Sequence, residues 1–267
     1  MQPFLALIPK NTSWLIASTL PALLPATSAS PTPIHIHVHH AAIRVAYHTV
    51  TSLIPAILPP NSPMYPKPDI VLHIGLAAGR QFYTFEKGAH RRGYGAIPDV
   101  DEERFEDGDA EKRWPNNLYP EKLETGFEVN DVLERWKSFL GYASSSRING
   151  YIEDAAKNPS DYIQTEDSIQ VPDVRISEDA GNYMCGFIYY NSLAHYYNLD
   201  ASHVPVAFLH VPDLSKSTEE VNIGSQVAVA LIKALVESRR MRGVHGHMGE
   251  VEEKENSMAS MDVNFTG

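Results

Sequence analysis

Residues 69–75 have the sequence Asp-Ile-Val-Leu-His-Ile-Gly, and residues 206–212 have the sequence Val-Ala-Phe-Leu-His-Val-Pro. Each is a continuous apolar run that carries one histidine and ends in glycine or proline. Runs of this kind predict strands buried on both faces, as in a parallel sheet that is covered by helices. The first run opens onto residues 76–79, at the strand end where α/β proteins usually place their ligands.

Helical patterns lie between and after these strands. Helices are predicted over residues 13–20, 49–58, 129–140 and 181–197, and an amphipathic helix follows the capping-box sequence that begins at Ser217. Strands that alternate with helices predict a single-domain, three-layer α/β sandwich. Its sheet should be twisted and mostly parallel, with helices on both faces.

Composition excludes several classes of function. The 267-residue chain has a formal net charge of −11, which disfavours nucleic acid or an anionic membrane as a partner. No apolar run reaches the length needed to span a bilayer. Residues 14–24 resemble the apolar core of a secretory signal, but Pro21 and Pro25 interrupt it. The single cysteine fits a reducing compartment, so a cytoplasmic protein is expected.

One domain is predicted over residues 1–240, with an acidic insertion over about 99–170. The stretch 99–113 is dense in Asp and Glu, which is typical of a solvated loop. From residue 241 the composition turns to Gly, His, Glu and Ser, and this change predicts a disordered tail over 241–267.

Cys185 is either an inert buried residue or a nucleophile. A helix should begin close to it, and the positive end of the helix dipole favours the nucleophilic thiolate, so a depressed thiol pKa is expected. A catalytic cysteine also needs a base, and His210 lies at the end of a predicted strand; ends of adjacent parallel strands meet at one edge. Glu86 is a candidate to orient that base, although the chain has 12 histidines and 33 acidic residues to choose from.

A run of alternating residues over 34–39 predicts a half-buried strand with Ile34, Ile36 and Val38 on one face. The other face carries histidines, which leaves a metal site as the alternative to a strand with a polar outer face. That site would use the imidazoles of His35, His37, His39 and His40.

Several segments resemble the pyroglutamyl peptidase I family. Residues 179–193, Asp-Ala-Gly-Asn-Tyr-Met-Cys-Gly-Phe-Ile-Tyr-Tyr-Asn-Ser-Leu, are similar to the family's nucleophile segment. Residues 207–212 resemble its histidine segment, and residues 73–76 and 85–87 resemble its strand, loop and catalytic glutamate. Residues 11–14, Asn-Thr-Ser-Trp, are similar to the family's Asn-Pro-Ser-Trp.

The resemblance covers about residues 2–235 and implies a cysteine omega-peptidase that removes pyroglutamate from peptide N-termini without a metal or cofactor. It implies that Cys185 attacks the carbonyl, that His210 transfers the proton and that Glu86 orients His210. It also implies an apolar and aromatic pocket for the lactam ring. The matching pocket positions are Phe4, Ile97, Tyr183 and Met184. Relatives often form dimers or tetramers, so a homo-oligomer is an open alternative to a monomer.

The chain departs from the family pattern at three points. Met1 stands where the family has a phenylalanine, and the family's usual first strand is missing from the sequence. This departure motivates the alternative of a catalytically impaired relative that binds peptides with the same fold. Ala96 replaces an arginine thought to bind the oxyanion in bacterial members, so Arg91, Arg92 or backbone amides near Cys185 are the expected substitutes. Leu76 stands where bacterial members often have glutamine.

Overall fold

A computed structural model describes residues 11–27, 31–62, 66–142 and 171–246. These residues form six helices and eight strands. The helices are α1 (Thr12–Thr19), α2 (Tyr47–Ile57), α3 (Asp107–Arg113), α4 (Val129–Phe139), α5 (Met184–Leu199) and α6 (Thr218–Arg242). The strands are β1 (Leu23–Leu24), β2 (Ile34–His35), β3 (Val71–Leu76), β4 (Tyr83–Glu86), β5 (Gly88–His90), β6 (Lys122–Glu124), β7 (Val174–Ser177) and β8 (Val206–Val211).

The central sheet has four strands in the order β3-β8-β4-β7. Strand β3 pairs with β8 in parallel, and β4 pairs with β7 in parallel. The pairing between β4 and β8 is antiparallel. The sheet is therefore mostly parallel, as predicted, with one reversal at its centre.

Helices cover both faces of this sheet. Val206 and Phe208 of β8 pack with residues of α2 and α5, whereas Ala207, Leu209 and Val211 pack with residues of α1, α4 and α6. This alternation follows from the two-residue period of a strand. The predicted three-layer α/β sandwich is confirmed, and its two cores lie on opposite sides of β8.

The predicted helices are confirmed with small changes at their ends. The helix predicted over 49–58 begins two residues earlier, at Tyr47, and the one predicted from 181 begins at Met184. Helix α6 is capped as its sequence indicates, because the hydroxyl of Ser217 accepts a hydrogen bond from the Glu220 amide at 3.1 Å.

The strand predicted over 34–39 is shorter than expected. Only Ile34 and His35 form β2, which pairs antiparallel with β1. The amide of Ile36 donates to the carbonyl of Ala22 at 2.9 Å, and the chain then leaves the ladder. Val38 is 38% exposed, because β1 offers only two residues for pairing.

The prediction of a solvated acidic loop over 99–113 is confirmed in part: most of residues 100–113 are exposed, but the segment is anchored at Asp99 and ends in a helix. Asp99 is 4% exposed, and its carboxylate accepts hydrogen bonds from the amides of Tyr47, Asp101 and Glu103. The first of these amides belongs to the first turn of α2, which has no acceptor within its own helix. Residues 107–113 form α3. Residues 143–170 of the predicted insertion lie outside the described residues.

The fold continues past the boundary predicted at residue 240. Helix α6 runs to Arg242, Val244 is 6% exposed, and the His245 amide donates to the Gly126 carbonyl at 2.7 Å. The rest of the predicted tail, residues 247–267, lies outside the described part of the chain. Helix α6 is long and apolar enough to cross a membrane by length and composition. Its buried side chains pack against the sheet, as in the core helix of a globular domain.

Candidate active site

The face of the sheet that carries α5 holds a group of polar side chains. Thr84 lies opposite His210 in the antiparallel pairing of β4 and β8, and Phe85 lies opposite Leu209. Phe85 and Leu209 belong to the core on the α6 side. Because side chains alternate along a strand, Thr84, Glu86 and His210 all face α5. The acid and the base therefore meet diagonally across an antiparallel pair of strands, whereas the sequence suggested the ends of parallel strands.

His210 and Glu86 form a buried hydrogen-bonded pair. The Nδ1 atom of His210 lies 2.8 Å from Oε1 of Glu86, and the two residues are 4% and 0% exposed. An ionised carboxylate only accepts hydrogen bonds, so Nδ1 carries the proton of the neutral ring. The lone pair of the imidazole is then on Nε2, where it can act as a base.

Cys185 lies in the first turn of α5 and contacts the same face of the sheet. A Cβ atom added to Gly75 would lie 2.9 Å from Cys185 Sγ and 2.7 Å from the ring of Phe208. Gly75 is the residue of β3 that pairs with His210 of β8. The thiol and the imidazole therefore lie over neighbouring positions of adjacent strands, and glycine at position 75 leaves room for the sulfur.

Two further glycines shape the segment that carries the thiol. Gly181 has a φ of 82°, a left-handed conformation that glycine adopts without steric cost. A Cβ atom at Gly186 would lie 1.8 Å from the carbonyl oxygen of Gly181. The loop before α5 therefore folds directly against its first turn, which fixes the position of Cys185.

Known proteins share this arrangement of segments. No protein-family model matches the chain. Pyroglutamyl-peptidase 1 of Homo sapiens is 28% identical over 222 residues, which cover 80% of this chain and 77% of the human protein. The Mus musculus protein of the same name is 29% identical over 222 residues, with the same coverage of both chains. Over about four fifths of its length the chain is therefore similar to the pyroglutamyl-peptidase 1 enzymes of mammals.

Solved structures support the family's fold. The pyrrolidone carboxyl peptidase of Pyrococcus furiosus superposes with a TM-score of 0.54 at 17% identity and covers 86% of this chain and 92% of its own. The enzyme of Thermococcus litoralis gives a TM-score of 0.54 at 16% identity, with 85% and 86% covered. At this level of identity the superposition establishes the fold, which agrees with the three-layer sandwich described above.

The thiol of Cys185 is protonated. Burial, together with the negative charge of Glu86, raises the pKa of Cys185 to about 12, and Arg80 acts in the opposite direction. The expectation of a depressed thiol pKa is therefore wrong for the unliganded structure. Desolvation favours the neutral form of a thiol and outweighs the helix N-terminus. Deprotonation needs a base close to the sulfur, which gives His210 a role at the first chemical step.

Glu86 is held as a carboxylate by its neighbours. Burial opposes ionisation of this side chain, but hydrogen bonds from His210 and Thr84 outweigh burial and lower the pKa of Glu86. Its Oε1 atom also lies 2.6 Å from Nη1 of Arg80. The sequence analysis missed Arg80 and Thr84. The sequence feature that could have identified them is their position just before Glu86, at the ligand-binding end of β3.

The residues predicted to line the lactam pocket differ in their exposure and surroundings. The hydroxyl of Tyr183 donates to the Pro98 carbonyl at 3.2 Å, which ties the residue two positions before Cys185 to the loop that carries Ile97. Ile97 is 47% exposed, whereas Met184 is buried in the core on the α5 side. Phe4 lies outside the described residues. Their roles in substrate binding stay predictions.

The two arginines expected to replace the family's oxyanion ligand have other partners. Arg91 is 3% exposed and donates to Glu111 at 2.5 Å and to the Trp114 carbonyl at 2.6 Å. Arg92 donates to Glu121 at 2.9 Å. Arg91 ties α3 to the segment after β5, and Arg92 pairs with the residue before β6, so both arginines are engaged by acidic partners and the expectation gains no support. The amides in the first turn of α5 remain the candidates, because a helix leaves its first amides without acceptors.

The alternative of a metal site in the histidine-rich segment gains no support. In the described ranges, three donor atoms come within 4.8 Å of one another only in a group of His48, Asp99 and Asp101. None of His35, His37, His39 and His40 belongs to it. The Asp99 carboxylate in that group already accepts backbone hydrogen bonds, and Asp101 pairs with Arg44.

Proposed function

We propose that this chain is a cysteine peptidase that hydrolyses the amide bond after an N-terminal pyroglutamyl residue. The observation that carries the proposal is the buried His210–Glu86 pair beside the Cys185 thiol. A nucleophile, a base and a group that orients the base form the minimal apparatus for acyl transfer. The names of the human and mouse relatives supply the substrate class.

The proposed reaction begins with proton transfer. Nε2 of His210 takes the thiol proton while Sγ of Cys185 attacks the pyroglutamyl carbonyl, and Glu86 stabilises the imidazolium that forms. The amides of the first turn of α5 are aimed at the developing oxyanion. His210 then protonates the leaving amine of the shortened peptide. In the second half of the reaction His210 activates a water molecule, which hydrolyses the thioester and releases pyroglutamate.

Selectivity follows from the chemistry of the lactam. Pyroglutamate is flat, uncharged and lacks a free α-amine, so an apolar slot with a few hydrogen bonds separates it from ordinary N-termini. Ile97, Tyr183, Met184 and Phe4 are proposed to form this slot. The link between Tyr183 and the Pro98 carbonyl supports a pocket formed jointly by the 97–98 loop and the start of α5.

The same proposal covers partners and location. The substrates are peptides with N-terminal pyroglutamate, and the chemistry needs neither metal nor cofactor. A net charge of −11 argues against nucleic acid and anionic membranes as partners. A single cysteine fits the reducing cytoplasm, and relatives that assemble into dimers or tetramers make a homo-oligomer an alternative to the monomer.

Release of a fluorescent amine from pyroglutamyl-aminomethylcoumarin tests the proposal. The wild-type chain should turn over this compound, whereas Cys185→Ala should not. A prolyl-coumarin is the matched substrate, because its ring lacks the lactam carbonyl and carries a charge. It should react at least about 100-fold more slowly if the slot selects the lactam. Activity retained in Cys185→Ala would overturn the mechanism, and a wild-type chain that binds the peptide without turnover would favour the impaired relative.

A further inference from the structure

Arg80 brings a fixed positive charge to the buried acid. It lies in the loop between β3 and β4, and its Nη1 atom is 2.6 Å from Glu86 Oε1 and 2.5 Å from Thr84 Oγ1. The Arg80 side chain is 30% exposed, whereas that of Glu86 is 0% exposed. Among the lysines and arginines that the structure describes, Arg80 alone forms an ion pair with Glu86.

A buried carboxylate without a cation tends to take up a proton, because desolvation penalises its charged form. A protonated Glu86 would carry its proton on Oε2, because Oε1 already accepts from His210, Arg80 and Thr84 while Oε2 has no hydrogen-bond partner in the described part of the chain. The neutral acid could still accept the Nδ1 proton at Oε1, but it would no longer stabilise the imidazolium that forms when His210 takes the Cys185 proton. The ionisation of Glu86 therefore decides how strong a base His210 is.

We propose that Arg80 is a positioning residue, which keeps Glu86 ionised and thereby lets the carboxylate stabilise the imidazolium form of His210. The inference rests on the proposed function, since His210 is the base of that reaction. It adds a fourth side chain to the three that the sequence pointed to. Arg80 acts through Glu86 and His210 and is not required to touch the substrate.

The other groups around Glu86 do not replace this charge. Thr84 of β4 contributes a neutral hydroxyl, and the hydroxyl of Ser177 on β7 donates to the Asp179 carbonyl at 3.2 Å. From α5, the Tyr189 hydroxyl donates to the backbone carbonyl of Glu86 at 3.1 Å, and the Cys185 thiol is neutral in the free protein. His210 of β8 must itself be neutral to act as a base, which leaves Arg80 as the permanent cation.

The acid limb of the pH profile of kcat/KM tests the role of Arg80. In Arg80→Met, protonation of Glu86 should begin at higher pH, and the limb should move upward by about one pH unit or more. Arg80→Lys restores a point charge and should recover part of the shift. Arg175→Met is the matched control: Arg175 lies on β7 opposite Thr84, pairs with Asp173 at 2.6 Å and stacks on Phe82. This control should leave the acid limb in place.

A second measurement does not depend on turnover. The proton that His210 donates to Glu86 should give a downfield proton NMR signal that keeps its chemical shift in mildly acidic solution in the wild type, whereas in Arg80→Met the signal should begin to move upfield at higher pH. An unchanged signal and an unchanged acid limb in Arg80→Met would overturn the inference. If the wild type fails to hydrolyse the coumarin substrate, the proposed function fails, and the NMR signal alone still decides whether Arg80 controls the Glu86–His210 pair.

Discussion

The two faces of β8 differ in what they bury. On the side of α6, Ala207, Leu209 and Val211 pack into a core of apolar side chains. On the side of α5, Phe208 shares the face with His210. Other buried polar side chains join His210 there, and they are His73, Thr84, Glu86 and Ser192. One strand thus supports stability on one face and chemistry on the other.

This difference has an energetic meaning. Apolar contacts on the α6 side add stability in proportion to the area that they bury. Polar groups on the α5 side lose hydration when they are buried, and hydrogen bonds only offset that loss. Substitutions on the two faces should therefore separate activity from stability, and each of the following predictions tests that separation.

The largest effect is expected at His210 on the α5 side. His210→Ala removes the base, so kcat/KM on the pyroglutamyl-coumarin substrate should fall by about 1,000-fold or more. Thermal unfolding should show a folded protein. A variant that retained activity within tenfold of the wild type would remove His210 from the mechanism.

Leu231 of α6, which is 0% exposed, tests the apolar core on the other face of β8. Leu231→Ala should lower the free energy of unfolding by about 2–5 kcal/mol, because it leaves a cavity in the core. The folded fraction should keep its kcat/KM, measured well below the melting temperature. If activity fell as far as in His210→Ala, the two faces would not be separable.

His73 gives the α5 side a pH dependence. Burial lowers the pKa of this histidine to about 4, and its Nε2 lies 2.9 Å from the Ser192 hydroxyl. Because the folded pKa lies below the unfolded value, the stability due to neutral His73 is present above about pH 6.5 and is lost as pH falls towards 4. The total loss is about 3 kcal/mol at most.

Denaturant titrations at several pH values between 4 and 7 measure this slope. The variant His73→Gln keeps a hydrogen-bonding side chain and does not titrate, so its stability should fall less steeply as pH decreases. Parallel slopes for the variant and the wild type would show that His73 is not the group responsible.

Gly75 should show the smallest of the four effects. The Cβ atom of Gly75→Ala would press on Cys185 Sγ and Phe208, and a displacement of the nucleophile should lower kcat/KM by roughly 10- to 100-fold. Gly79→Ala is the matched control, since an added Cβ there meets no atom within 4 Å. Equal activity in the two variants would mean that the sulfur adjusts without cost.

The long apolar strands β3 and β8 and most helices were predictable from sequence, because hydrophobic period and capping residues determine them locally. The antiparallel pairing of β4 with β8 was not predictable from sequence. Strand direction depends on contacts distant in the chain, and β4 and β7 have only four residues each. The length of β2 was mispredicted for a related reason, since it is set by the pairing with β1.

The candidate site was predictable only in part. Cys185 stood out as the single cysteine, and resemblance to the family pointed to His210 and Glu86 among many alternatives. The thiol pKa and the role of Asp99 depend on burial, which spacing does not reveal. Arg80 was missed because an arginine in a loop carries no pattern of its own. Its importance comes from its distance to a carboxylate six residues later.

The alternation along β8 limits how this protein can evolve. A one-residue insertion within Val206–Val211 would shift the register and exchange the two faces of the strand. His210 would then enter the apolar core on the α6 side, and Leu209 would take its place beside Glu86. Changes in chain length are therefore compatible with this site only outside the strand, and a lineage that gained or lost one residue there would lose fold and catalysis in a single step.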